Sequence, residues 1–268
     1  MKLGLIHYNA PGDTLNEFLD YAADAGFQYL EVGRRDAWPE GDPNPEKHAE
    51  AVRKALDARG ITASALQAGN DFIVPRDGGL AGEVERMRRV AGLAKILGTD
   101  LLRIDAGWPK QEGQDAEWLS AVVEGMKRCL DFAEAMDIRF ALDNHGITTN
   151  KAEFQIEVLS QVGSPRLGLN LDTMNYRWFG HDLATIDRYY EMVAPHVFHV
   201  HLKDGHGSRE EYVGTALGEG EIHLDHAVAA LKRAGYQGVW CAEYEGPRAE
   251  SADGYRKCLA WMRAHLAD

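Results

Sequence analysis

The feature that most constrains the fold of this chain is an alternation of short apolar runs with longer stretches of helical periodicity, which occurs eight times along the sequence. Dividing 268 residues by eight gives about 33 residues per repeat, the length expected of one strand followed by one helix. Because no linker or low-complexity segment interrupts the alternation, residues 1–268 are predicted to form one domain.

Each apolar run is short and rich in β-branched or aliphatic residues, as β-strands are. The runs are KLGLIHY, YLEVG, ITASALQAG, DLLRIDAG, RFALDNHG, RLGLNLD, VFHVHLKD and VWCAEYE, which begin at Lys2, Tyr29, Ile61, Asp100, Arg139, Arg166, Val197 and Val239. A glycine such as Gly26 stands where a helix would end before the next strand. Helix starts are predicted at the capping-box pair Thr14 and Glu17 and at Asn44 before Pro45.

Eight strand and helix repeats predict a (β/α)8 TIM barrel of the α/β class, whose usual length of about 250 residues fits this chain. The alternative is an open, doubly wound parallel sheet. That alternative is disfavoured because HYNAPGD follows the first strand in place of Gly-x-Gly-x-x-Gly, and the sequence has no Walker-type lysine loop. The longest irregular stretches all follow strands, so we expect substrate-binding loops at about residues 34–44, 70–82 and 205–222.

The charge of the chain argues against a nucleic-acid partner, because 29 Lys and Arg against 42 Asp and Glu give a net charge of −13. Three cysteines without Cys-x-x-Cys spacing suggest neither a disulfide framework nor a zinc knuckle, so a reducing, cytoplasmic location is predicted. The sequence shows no apolar leader and no run of about 18 apolar residues, so neither secretion nor a membrane partner is expected.

Residues of the metal-ligand type follow four consecutive strands in the second half of the chain. The strand ends ALDNHG, LNLDTMN, HVHLKDG and CAEYEG place four of them at similar depth at one mouth of the barrel, namely Asp143, Asp172, His201 and Glu243. Three carboxylates and an imidazole can hold one divalent ion, for which Mn²⁺ is the first candidate and Mg²⁺, Co²⁺ or Zn²⁺ are alternatives. The competing interpretation is separate polar strand ends that cap loops and pair with lysines.

The second half of the chain resembles the xylose isomerase-like barrels of the AP endonuclease 2 superfamily, which include sugar isomerases and epimerases, inosose dehydratases and a DNA-repair branch. The segments ALDNHG, GLNLDTMN, HVHLKDG, ALGEGEI and AEYEG, between about Arg139 and Gly246, carry the resemblance. It implies that a metal is held by Asp143, Asp172, His201 and Glu243. The strand-five ligand of the family is commonly Glu, and Asp143 is shorter by one methylene.

The DNA-repair branch is disfavoured residue by residue. Its trinuclear zinc site needs additional histidines and an Asp-x-His before the Gly-x-Gly segment. This chain has Asn175 after LDTM, and it has Tyr212 and Gly214 where the Asp-x-His would stand. Together with the acidic balance, these residues argue against a nuclease.

Further side chains at the same mouth are predicted to contact the substrate. They lie at strand ends or have inward strand parity, and one of them, His145, is also similar to a histidine of the family. These residues are His7, Glu31, Arg103, Trp108, His145 and Lys203. The alternatives are a polar bridge between strands for His7 and Glu31, pairing inside the barrel for Arg103, and rim packing or an oligomer contact for Trp108. We expect His199 to be buried and hydrogen-bonded one layer below His201.

The predicted function is divalent-metal-dependent isomerisation or epimerisation of an unphosphorylated ketose or keto-sugar. The metal would chelate the carbonyl and the adjacent hydroxyl, and Glu243 and Asp143 would move the proton through an enediolate. An inosose-type dehydratase could use the same site, and a barrel that binds sugar without catalysis is the third alternative. The sequence leaves a homo-oligomer open.

Overall fold

Eight parallel strands close into a barrel in the computed structural model, which describes residues 1–109 and 111–267. The barrel strands are β1 (Leu3–Ile6), β2 (Tyr29–Val32), β3 (Thr62–Gln67), β4 (Leu101–Ile104), β5 (Arg139–Asp143), β6 (Leu167–Asp172), β7 (Val197–Leu202) and β10 (Trp240–Ala242). Two short strands, β8 (Asp204–His206) and β9 (Val213–Thr215), form a separate antiparallel hairpin. Each barrel strand pairs with the next barrel strand along the chain, so that β7 pairs with β10, and β10 closes on β1, which confirms the predicted fold class.

Helices connect the strands and pack side by side around the barrel. They are α1 (Leu15–Ala25), α2 (Arg34–Ala37), α3 (Pro45–Asp57), α4 (Gly79–Leu97), α5 (Asp115–Met136), α6 (Ala152–Val162), α7 (Asn175–Phe179), α8 (Leu183–Val193), α9 (Leu224–Arg233) and α10 (Ser251–His265). In the described part of the chain, no helix is both long enough and apolar enough to cross a bilayer.

The predicted strands are all present, and each begins within one residue of its predicted start. The capping box of α1 is also confirmed, because Thr14 Oγ1 accepts from Glu17 N at 3.3 Å and Glu17 Oε2 accepts from Thr14 N at 3.0 Å. Asn44 stands at the N-cap of α3, but among the described residues its side chain makes no capping hydrogen bond. Its backbone N–H donates to Asp42 Oδ1 at 2.8 Å.

The three predicted loops contain more regular structure than expected. The helix α2 occupies the start of the first, α4 begins at Gly79 inside the second, and β8 and β9 lie at the edge of or inside the third. A helix of four residues and strands of three are too short for hydrophobic periodicity to reveal them.

Asp204 fixes the long loop after β7. Its carboxylate accepts hydrogen bonds of 2.9–3.2 Å from the backbone N–H groups of Gly205, Gly218, Gly220 and Ile222. A Cβ built at Gly220 would lie 2.1 Å from Asp204 Oδ1, so this position needs glycine. The Gly-x-Gly segment is therefore a turn that folds back onto Asp204.

Candidate active site

A cavity of about 290 Å³ opens at the carboxyl ends of the barrel strands. Eight of the predicted site residues line it, namely His7, Glu31, Arg103, Trp108, Asp143, His145, His201 and Glu243. The other two, Asp172 and Lys203, are buried, and the Lys203 ammonium lies 3.5 Å from Glu243 Oε1 in the cavity wall. The mouth that the sequence predicts is therefore a real concave site.

Three of the four predicted metal ligands converge. One ligand atom each of Asp172, His201 and Glu243 lie within 4.8 Å of one another, and all three residues are buried. Strand register explains the convergence, because Asp172 of β6 pairs with His201 of β7, and the backbone N–H of Glu243 donates to Leu202 O at 2.9 Å. Asp143 lies in a second cluster of the same kind, with Asp105 and His145.

Both carboxylate oxygens of Asp143 accept hydrogen bonds. Oδ1 accepts from Asn170 Nδ2 at 2.5 Å, and Oδ2 accepts from Arg103 Nη1 at 2.8 Å. Burial opposes ionisation, but the Arg103 guanidinium holds the pKa of Asp143 well below its usual range. Asp143 is therefore an ionised carboxylate held between β4 and β6.

Six carboxylates at the mouth share two permanent cations. The Arg103 guanidinium contacts Glu31, Asp105 and Asp143 at 2.8–3.2 Å. The Lys203 ammonium contacts Asp172 at 2.9 Å and the carboxylates of Glu243 and Glu245 at 3.5 Å each. The mouth thus holds more carboxyl groups than permanent cations, and carboxylate oxygens are ligands that divalent cations such as Mn²⁺ and Mg²⁺ prefer.

His201 connects the two groups of carboxylates. Its Nε2 lies 2.6 Å from Glu31 Oε2, and its Nδ1 lies 3.2 Å from Glu243 Oε2. Burial lowers the pKa of His201, but the carboxylates of Glu31 and Glu243 outweigh it and raise the pKa to about 10. The imidazole thus lies between two carboxylates that both favour positive charge.

One buried carboxylate oxygen, Asp172 Oδ2, indicates that the residues present fit a divalent cation. Asp172 Oδ2 is buried and, within the described residues, has no directed hydrogen bond, because the 2.9 Å contact from Lys203 has ion-pair distance without hydrogen-bond geometry. Burial raises the pKa of Asp172 to about 7 even though Lys203 opposes the shift. A carboxylate oxygen without a directed donor, beside an imidazole and a second carboxylate, is a donor set suited to Mn²⁺, Mg²⁺ or Zn²⁺.

Four of the residues predicted to contact substrate differ in how far their side chains are exposed to the cavity. His7 Nδ1 is hydrogen-bonded to Asp36 at 2.8 Å, a polar bridge at the cavity edge. His145 lies 3.6 Å from Asp143 through Nδ1 and meets the Trp108 ring edge to face at 4.9 Å, and both side chains are partly exposed to the cavity. Lys203 is 2% exposed, so its ammonium faces carboxylates and not open solvent.

His199 lies below the cavity, as expected from strand parity. Its Nδ1 is 2.9 Å from Asn170 Oδ1, and its Nε2 is 3.2 Å from Ser64 Oγ. Because Asn170 donates to Asp143 through Nδ2, its Oδ1 accepts from His199 Nδ1. Burial lowers the pKa of His199 to about 4, so this imidazole is neutral.

Sequence reasoning missed several residues of the mouth. Asn170 lies two residues before Asp172 on β6, so inward parity was a usable signal for it. Parity also relates Asp105 to Arg103 and Glu245 to Glu243. Tyr8, which is 52% exposed and lines the cavity, lies two residues after the end of β1, where strand parity gives no distinct signal.

Comparisons with known proteins agree with this architecture. The family model of the xylose isomerase-like TIM barrels matches residues 19–265. Among solved structures, the zinc-bound IolI protein superposes with a TM-score of 0.79 at 19% identity, over 99% of this chain and 98% of that chain. D-psicose 3-epimerase, crystallised with D-fructose, has a TM-score of 0.78 at 17% identity, with full coverage of both chains at 100%.

Two further relatives extend the comparison. A xylose isomerase domain protein from Planctomyces limnophilus has a TM-score of 0.77 at 20% identity, over 98% of this chain and 95% of that chain. A curated but uncharacterised protein of Methanocaldococcus jannaschii is 24% identical over 127 residues, or 46% of this chain. The match spans 42% of that relative's length. The structural likenesses, at these identities, establish the shared fold.

Proposed function

The chain belongs to the xylose isomerase-like TIM barrel family, and we propose that it is a divalent-metal-dependent isomerase or epimerase of an unphosphorylated ketose or keto-sugar. The observation that carries the proposal is the convergence of Asp172, His201 and Glu243 within 4.8 Å at the wall of the mouth cavity. One structure of similar fold with a bound zinc atom, and one of an epimerase crystallised with D-fructose, support it.

The cavity suits a small polyol. Its volume of about 290 Å³ is just below the ~300–1,000 Å³ range of ligand pockets, which favours a ligand as small as a monosaccharide. Glu245 brings a carboxylate to its wall, and a carboxylate accepts hydrogen bonds from sugar hydroxyls. Trp108, 42% exposed at the rim, offers an aromatic face to the apolar side of a sugar ring.

The metal would be held by Asp172, His201 and Glu243, with Asp143 as the fourth predicted ligand. When bound, a divalent cation polarises a substrate carbonyl and acidifies the C–H beside it. Mn²⁺ is the first candidate because three of the four donors are carboxylates, with Mg²⁺, Co²⁺ and Zn²⁺ as alternatives.

Glu243 is the first of the two proton-transfer groups. Its side chain lines the cavity, while its two oxygens face the His201 imidazole at 3.2 Å and the Lys203 ammonium at 3.5 Å. The Lys203 ammonium stabilises the carboxylate after it has released its proton to the substrate carbon. Asp143 is the second group, and the Arg103 and Asn170 hydrogen bonds that hold both of its oxygens make it the weaker base.

The test is metal-dependent exchange of a substrate carbon-bound hydrogen. Protein stripped with a chelator is reloaded with Mn²⁺, Mg²⁺, Co²⁺ or Zn²⁺ and incubated in D₂O with a panel of ketoses, keto-sugars and cyclitols. We expect one deuterium to enter an epimer or isomer of unchanged carbon skeleton. Glu243→Gln changes a proposed ligand and is therefore measured at saturating metal, where it should lose about 10²–10⁴-fold in kcat. Glu124→Gln, a surface carboxylate paired with Arg128 on α5, is the matched control and should be unaffected.

Two results would overturn this proposal. A product lighter by one water would identify a dehydratase, and metal-independent sugar binding with no exchange across the panel would identify a non-catalytic barrel. Full turnover by Glu243→Gln with metal bound would remove Glu243 from the mechanism.

A further inference from the structure

Glu31 lies on a strand that is not a neighbour of β7, yet its side chain reaches His201. Glu31 is on β2, which is separated from β7 by β1 and β10 in the closed barrel. Glu31 Oε2 is 2.6 Å from His201 Nε2, and the two residues are 170 positions apart in the chain. The side chains of Glu31 and His201 are 3% and 2% exposed, so water does not screen this contact.

The second oxygen of Glu31 is also occupied. Oε1 accepts from Arg103 Nε at 2.8 Å, in an ion pair whose members are 8% and 3% exposed. Glu31 therefore has one oxygen fixed by a guanidinium and the other fixed on an imidazole. This leaves little capacity for a substrate hydroxyl, which was the role expected from its position at the mouth.

The other nitrogen of His201 faces the ligand cluster. Nδ1 lies 3.2 Å from Glu243 Oε2, and the Asp172 carboxylate completes the cluster. A neutral imidazole donates through one nitrogen and accepts through the other, and a metal binds the accepting one. Both nitrogens of His201 face carboxylates in the metal-free structure, but Nδ1 is the one beside Glu243. A cation bound among Asp172, Glu243 and Nδ1 would replace the proton on Nδ1, while Nε2 keeps the proton that it donates to Glu31.

We propose that Glu31 is a positioning residue, which holds His201 in the Nε2–H tautomer and thereby presents Nδ1 to the bound divalent cation, with Arg103 holding Glu31 in place. The inference rests on the proposed function, because it requires the metal site. A carboxylate that accepts from a ligating histidine fixes the orientation of the ring and increases its basicity, and loss of such a partner typically lowers metal affinity 10–100-fold.

The competing arrangement is a cation between Glu31, His199 and His201, whose ligand atoms also lie within 4.8 Å of one another. It would require Nε2 of His201 as the ligand. The geometry of His199 argues against it, because Nδ1 is 2.9 Å from Asn170 Oδ1 and Nε2 is 3.2 Å from Ser64 Oγ.

The first measurement is the affinity for Mn²⁺ in the absence of substrate. The free Mn²⁺ concentration during the titration is measured by electron paramagnetic resonance. Glu31→Gln has nearly the same shape, but its amide has one acceptor for two donors, so it must lose either the His201 bond or the Arg103 bond. We expect one Mn²⁺ per wild-type chain and 10–100-fold weaker binding by Glu31→Gln. Glu245→Gln removes a carboxylate from the same cavity without contact to His201, and its affinity should change less than about threefold.

The second measurement needs no variant of Glu31, so it stays informative if Glu31→Gln does not fold. In Zn²⁺-loaded protein enriched in ¹⁵N, the His201 signals are assigned by their loss in His201→Asn. We expect a proton directly bonded to Nε2 and an unprotonated, metal-shifted Nδ1. A metal-bound Nε2 with a protonated Nδ1 would overturn the inference while leaving a metal enzyme in place.

The two proposals fail differently. A wild-type chain that binds neither Mn²⁺ nor Zn²⁺ would overturn the proposed function and the role of Glu31 together. Stoichiometric binding that is equally tight in wild type, Glu31→Gln and Glu245→Gln would overturn only the role of Glu31.

Discussion

Arg103 and Asp143 form a buried ion pair between adjacent barrel strands, with Arg103 Nη1 2.8 Å from Asp143 Oδ2 and side-chain exposures of 8% and 2%. The same guanidinium contacts Glu31 and Asp105. It is therefore the only permanent cation, within the described residues, that contacts this group of three carboxylates. The shortened strand-five carboxylate is held in place by a partner that comes from β4.

Removing the Arg103 guanidinium should destabilise the folded protein. We expect Arg103→Met to lower the free energy of unfolding of the metal-free protein by about 3–5 kcal/mol, because it leaves buried carboxylates without a partner. The measurement is urea denaturation in the presence of a chelator. Arg128→Met removes an exposed pair with Glu124 and should cost less than about 1 kcal/mol. Equal losses of unfolding free energy in the two variants would show that the buried contacts of Arg103 contribute no more to stability than the exposed pair of Arg128.

The fold was predictable because its signals are local and repeated. Short aliphatic runs and the glycines after helices recur at nearly constant spacing, and a chain of this length with eight such repeats closes into a barrel. The convergence of Asp172, His201 and Glu243, three of the predicted ligands, follows from one rule, that the carboxyl ends of parallel strands meet at one mouth. These predictions required no knowledge of which strand faces which across the barrel.

The contacts inside the mouth were less accessible to sequence reasoning. The bond between Glu31 and His201 joins strands that are not neighbours in the barrel, and it depends on how the closed barrel staggers its strands. The bond between Asn170 and Asp143 joins neighbours, but its existence depends on one side chain being an amide of the right length. The alternation of side chains along each strand predicts which residues face inward. The stagger of the closed barrel and the lengths of the side chains decide which of those residues are in contact.

Two glycines in helix interiors should respond oppositely to alanine. A Cβ at Gly92 in α4 would meet only Met136 Cε at 4.0 Å, so Gly92→Ala should stabilise the protein by about 0.5–1 kcal/mol through helix propensity. A Cβ at Gly125 in α5 would lie 2.5 Å from the Phe72 ring, so Gly125→Ala should destabilise it by about 1–3 kcal/mol through overpacking. Urea denaturation of both variants is the measurement, and shifts of the same sign would contradict the packing of α5 against Phe72.

The two predicted helix starts should also differ when mutated. Thr14→Ala removes an observed capping bond of α1 and should cost about 1 kcal/mol. Asn44→Ala removes a side chain that makes no capping bond to the described residues of α3, and it should cost only a few tenths of a kcal/mol. Thermal and urea unfolding distinguish the two, and an Asn44→Ala loss as large as that of Thr14→Ala would show that Asn44 caps α3 in solution.

We expect the three cysteine thiols to be unreactive in the folded protein. Cys129, Cys241 and Cys258 are free and fully buried, and burial raises the pKa of Cys129 and of Cys258 to about 12. Since the thiolate is the reactive form and its pKa lies far above neutral pH, a disulfide reagent at pH 8 should modify none of them in native protein. In urea the pKa values return to their ordinary range near 8.5 and all three thiols should react at once. A thiol that reacts rapidly without urea would show that its helix or strand opens locally, and Cys241 on β10 would then report opening of the barrel where it closes on β1.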